Sequence, residues 1–136
     1  MSAALRAGAA YFVAAFALGS VLGTVRVVLL EQAFGPWTAV AIELPVMLAA
    51  SWWLCGWAIR RWRVPWGASP RAAMGALAFA LLIAAEIALG IGLFGRSLGE
   101  QIGEMTAGTG LAGLISQLAF ALFPLVRHRD KTDTPG

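Results

Sequence analysis

The sequence predicts an all-α integral membrane bundle of four transmembrane helices with both termini cytoplasmic, and three observations lead there. Of the 136 residues, 60% are hydrophobic and 12% charged, whereas a soluble domain is roughly half apolar and one quarter charged. Four apolar runs, 7–30, 37–59, 71–94 and 107–126, each come near the ~20 residues needed to cross a bilayer as a helix. An open sheet would leave backbone groups unpaired in lipid, so each run is read as a helix. The third observation is charge placement. Arg6, Arg60, Arg61, Arg63, Arg71, Arg127, Arg129 and Lys131 fall on one side of a four-span topology, and Arg96 alone falls on the other, beside Glu31, Glu100 and Glu104. Short loops rich in Lys and Arg stay cytoplasmic, so the acidic loops face outward and the termini inward. A multi-pass protein of a bacterial-type inner (plasma) membrane is expected.

The first span begins after Arg6 and contains "AFALGS", which resembles the end of a secretory signal. Its apolar run exceeds the ~7–15 residues of a signal core, and three more spans follow, so it is read as an uncleaved helix. Within it Gly19 and Gly23 stand at G-x-x-x-G spacing, extended by Ala15 and paralleled by Ser20 and Thr24. Such a smooth stripe allows close helix packing. The second span carries Trp37 at its outer end, Glu43 and Pro45 in its outer half, and Trp52, Trp53, Trp57, Trp62 and Trp66 toward and beyond its inner end. Tryptophans in that distribution form the aromatic belts of the headgroup region. Pro36, Pro65 and Pro70 fall at or near span starts, where a missing amide does least harm.

The third span holds Glu86 and ends in "GIGLFG" at 90–95. That string satisfies a dinucleotide-binding pattern, but the pattern has meaning only after a strand and at the start of a soluble helix. Here it belongs to helix packing or a flexible outer end. The fourth span offers Gly110, Gly113 and Gln117, and the tail 127–136, "RHRDKTDTPG", is polar and without apolar periodicity. The tail is expected to be a disordered cytoplasmic segment.

Composition also excludes functions. One cysteine, Cys55, and one histidine, His128, supply neither an intrachain disulfide nor a Cys/His metal site. No cofactor is implied, and the net charge of +3 comes from loop arginines that mark topology rather than a nucleic-acid partner. The expected partner is the lipid bilayer, with a homo-oligomer or a larger membrane complex beyond it.

Arg26, Glu43 and Glu86 are the anomalies, because an ionisable group at a helix centre costs about 2.5–3.5 kcal/mol on insertion scales. At 1.5 Å per residue, Arg26 lies roughly 6 Å inside the outer end of its helix, Glu43 roughly 9 Å and Glu86 roughly 12 Å. Three groups at similar depth predict one cluster. Glu86 shares a face with Gly90 and, three turns on, with Ser97, while Gln117 shares a face with Gly113, Gly110 and Thr106. The expected pocket is therefore built from Arg26, Glu43, Glu86, Gln117, Thr24 and Ser97, roofed by Glu31, Glu100 and Glu104. One arginine against two carboxylates leaves a spare acid, which either takes up a proton or binds a cation.

Four short spans in a chain of this length resemble the small multidrug transporters in outline, whose first helix carries a membrane-embedded glutamate that exchanges protons for cationic drugs. Here the first span holds Arg26 and no acid, and the acids stand in the second and third, so no site residue carries over. Two functions remain. One is an outer-leaflet Arg/Glu pocket that binds or transports a small solute, cation or proton. The other is a non-catalytic accessory or assembly subunit whose charges lock the fold. An enzyme is disfavoured, since no nucleophile with an adjacent base and no phosphate-binding loop accompany the two carboxylates.

Overall fold

Apolar runs with no water to bond their backbones become helices, and the computed structural model, which describes residues 2–65 and 67–126, is helical throughout its regular segments. Trp66 and the tail 127–136, with His128 and the last three basic residues used for topology, lie outside the described residues. Helix α1 runs Ala3–Val25 and passes through a π-helical turn, Arg26–Leu30, into α2, Glu31–Phe34. After Gly35 come α3, Pro36–Trp62, then α4, Ala68–Gly92, a short α5, Leu98–Met105, and α6, Gly108–Val126. Four stretches are long and apolar enough to span a membrane, Ala3–Phe34, Pro36–Trp62, Ala68–Gly92 and Gly108–Val126.

Local chemistry explains the ends. Ser2 caps α1 by accepting from the Leu5 amide, and Pro36 occupies the first turn of α3, where its missing donor is harmless. Helix α3 stops where Arg63 turns left-handed at φ 53°, with the Arg63 and Val64 amides both donating to the Ile59 carbonyl. That conformation usually falls to glycine. One connection departs from the sequence expectation. The segment after the third span, expected as a loop, contains α5, started by a capping box in which Ser97 and Glu100 bond each other's backbone amides. The S-x-x-E signal was present in the sequence, but the four glycines at 95, 99, 103 and 108 concealed it.

Helices α1 and α6 each pack against both α3 and α4, while α5 rests on α4 and α6. Packing is tight only at the end that holds the start of α1 and the α3–α4 connection. There Ala4, Ala7, Tyr11, Cys55, Ile59, Met74, Ala78 and Phe120 form a buried core. Glycine permits the closest crossings, since a Cβ on Gly75 would collide with the Ala121 carbonyl and one on Gly8 would come 2.8 Å from that of Met74. Pro124 has no amide to give to the Phe120 carbonyl four residues back. The Tyr11 hydroxyl takes that place, donating to it over 2.7 Å with the two rings stacked at 4.0 Å. Arg71, expected at the start of the third span among the basic residues of the cytoplasmic side, is buried at this end in the first turn of α4.

Candidate functional site

At the opposite end the helices diverge around a cavity of about 1020 Å³. Small residues leave the space: Ala15, Gly19, Ser20, Gly23 and Thr24 on α1, and Gly113 on α6. The apolar walls include Phe16, Met47, Leu82 and Leu114, and the charged lining consists of Arg26, Arg96, Glu31, Glu43, Glu86 and Glu104. With every group ionised, two arginines face four glutamates and the cavity is negative.

Arg26 owes its Glu31 partner to the π-turn. In a regular α-helix, residues five apart diverge by about 140° around the axis. The wider turn, in which the Glu31 amide donates to the Arg26 carbonyl, brings the two side chains together, and Arg26 Nη1 meets Glu31 Oε1 at 3.1 Å. Arg26 Nε donates to Glu43 Oε2 on α3. One guanidinium thus serves two carboxylates and ties the end of α1 to the start of α3. Single-turn π-segments recur at functional sites because they re-aim side chains in this way.

Glu86 belongs to a different network. Its Oε1 accepts from Gln117 Nε2 on α6, and its main-chain carbonyl accepts from Gln101 Nε2 on α5 at 3.2 Å. Gln101 Oε1 in turn accepts from Arg96 Nη1 at 2.9 Å, and the Arg96 guanidinium lies 5.1 Å from the centre of the Phe94 ring. The Gln117 side-chain oxygen is buried with no hydrogen-bond partner among the described residues.

The three in-span ionisable residues therefore line one cavity as two groups rather than as a single contacting cluster. Arg26 pairs with Glu43 and Glu31, whereas the Glu86 carboxylate has a neutral amide as its partner. Thr24 lines the cavity and spends its hydroxyl on the Ser20 carbonyl at 2.8 Å. Ser97 stands apart from the lining. It caps α5, accepting from the Glu100 amide at 3.1 Å, because the chain leaves the α4 helix before reaching it. Gly19 and Gly23 flank the cavity instead of a close crossing within the chain. A Cβ on Gly19 would meet only Met47 Cε at 3.6 Å, and one on Gly23 only Arg26 Nη2 at 3.8 Å.

Of the roofing acids, Glu31 and Glu104 line the cavity, while Glu100 is turned to the capping box. Backbone and side-chain hydrogen bonds with Ser97 hold the Glu100 carboxyl below the usual glutamate range, helped by the charge of Arg96. Residue-by-residue reading missed Arg96 and Gln101, which belong to the site. Both sit in a segment expected as loop, and only the return of α5 over α4 brings them to Glu86.

No group of three or more His, Cys, Asp or Glu side chains is placed to hold a metal ion among the described residues. The chain matches no known family model, no characterised protein and no solved structure.

Proposed function

We propose that this chain is an N-in/C-in, four-helix inner-membrane protein whose outer-half cavity binds a cation or a proton, with transport as the first form of that activity. The observation that carries the reading is the unequal pairing of its acids. Glu43 and Glu31 share the charge of Arg26, while the Glu86 carboxylate, on the same cavity, is met by the neutral Gln117 amide. An ionised carboxylate at membrane depth without a cationic partner draws a positive ligand or a proton. Arg26 holds its two acids and positions α1 against α3, Glu86 receives the ligand, and Gln117 orients it. The unpartnered Gln117 oxygen adds a second acceptor next to Glu86, which suits a ligand that donates hydrogen bonds.

The test uses the full chain in sealed proteoliposomes containing a pH-reporting dye, with an imposed proton gradient and then sodium or potassium gradients. Wild-type protein is expected to carry proton flux, or to couple it to one of these ions, and Glu86→Gln to abolish it. Equal fluxes for wild type and Glu86→Gln would overturn the reading. The accessory-subunit alternative is then favoured if the protein is recovered from mild detergent in a stoichiometric complex with other chains.

A further inference from the structure

Helix α5 lies at the cavity end of the molecule, and most of its surface is not packed. Of its eight residues only Gln101 is buried, while Leu98 and Ile102 are 54% and 46% exposed. The Gln101 side chain makes a two-sided attachment, donating from Nε2 to the Glu86 carbonyl at 3.2 Å and accepting at Oε1 from Arg96 at 2.9 Å. A glycine makes room for it. A Cβ at Gly90 would collide with the Gln101 amide, so α4 has a notch where this side chain enters.

The two ends of α5 differ. At its C-terminal end the backbone is seated on α6, because a Cβ at Gly110 would collide with the Glu104 carbonyl. Toward α4, the attachment runs through Gln101. A left-handed glycine stands on either side, Gly95 at φ 67° in the connection from α4 and Gly108 at φ 58° as the first residue of α6, with no atom within 4 Å of where a Cβ would stand. Residues that absorb backbone rotation without side-chain clashes are the usual hinges of moving segments. The inner side of the segment lies over the site, since Arg96, Gln101, Glu104 and Met105 share the cavity lining with Glu86 and Gln117.

From these observations we infer that α5 is a hinged cover over the cavity and that Gln101 is its latch. When Gln101 leaves the Gly90 notch, the α4 side of α5 lifts, the segment turns about Gly108, and the cavity opens above Glu86. A covering segment whose α4 side is held by one polar side chain stays closed most of the time and opens locally without unfolding the helices that carry it. Gln101 is here a positioning residue. The inference depends on the cavity and its cover, not on which ligand the cavity takes, so it stands or falls separately from ion or proton flux.

The experiment measures access. Gly113 lines the cavity with open space around its Cβ position, so Gly113→Cys places a thiol inside it. Cys55, buried at the opposite end, reports any general loosening of the fold. The full-length protein in nanodiscs, with both faces accessible, is treated with a charged, bulky maleimide, and the two thiols are followed separately by mass spectrometry. Gln101→Ala should accelerate labelling of the introduced thiol roughly tenfold, as expected when a pair of hydrogen bonds that favour the closed state is lost. Gly90→Ala, which fills the notch from the other side, should do the same, and Gly103→Ala, in open space, should change nothing. In all of these Cys55 labelling should remain at the parent rate. The inference is overturned if either Gln101→Ala or Gly90→Ala, once shown to fold, leaves the introduced thiol within about twofold of the parent, or if Cys55 accelerates in parallel. The two variants attack one contact from opposite sides, so either one that folds decides the matter.

Discussion

Arg26 shows how a single residue can be legible as an anomaly and illegible in its consequences. Its cost in a span asks for a partner, and depth arithmetic offers both Glu43 and Glu86, of which Glu43 accepts from Arg26 Nε. Glu31 could not be paired with it by α-helical spacing, because residues five apart point away from each other until the π-turn widens the helix. The pairing has a measurable consequence. Arg26→Ala leaves Glu43 and Glu31 without their cation, so it should destabilise the protein more than the double variant Arg26→Ala/Glu43→Gln, which removes one stranded charge. A double-mutant cycle by detergent unfolding should return a coupling of about 1–3 kcal/mol, within the range for directly contacting residues. A coupling near zero would mean that the contact contributes nothing to the fold. Tyr11 is the opposite case. It reads as one more aromatic in an apolar run, and its role follows only from the carbonyl that Pro124 leaves open.

Among the elements, α5 is the one that a sequence reading passes over. Its capping box is written plainly as Ser97 and Glu100, yet an eight-residue helix with interior glycines has too little propensity to stand alone. Tertiary contacts through Gln101 and Gly110 stabilise it instead. The Glu100 carboxyl is held below its ordinary range in the folded state, so it contributes stability that is present above the unfolded value and is lost as the pH falls through the lowered folded one. The amides of the first turn of α5 should therefore lose hydrogen-exchange protection in acid, below the usual glutamate range. Glu100→Gln should remove most of that pH dependence while α3 and α4 stay protected. An unchanged acid response in Glu100→Gln would assign it to another group.

At the scale of the molecule, the packing is asymmetric, close at one end and open at the other. Glycines and alanines bring the helices together around Gly8 and Gly75, whereas at the other end Gly19 and Gly23 on α1 and Gly113 on α6 line open space. Identical chemistry thus has two outcomes, depending on whether a neighbouring backbone fills the gap. Gly75→Ala should be costly, by about 1–3 kcal/mol as for other overpacked interiors. Gly113→Ala should be close to neutral in the same thermal-unfolding assay, since nothing stands within 4 Å of its Cβ position. Similar losses for both would contradict the asymmetry.

By itself, the sequence determined that this is an all-helical chain with four helices long and apolar enough to span a membrane, and it marked Arg26, Glu43 and Glu86 as costly. Those conclusions depend on composition and run length, which act locally along the chain. Tertiary structure decided which glycines are crossings and which line space, that Arg26 serves two acids while Glu86 is met by Gln117, and that α5 returns over the site. Each of these depends on how far apart two helices stand and how a turn is wound. Neither distance nor winding has a counterpart in the order of residues.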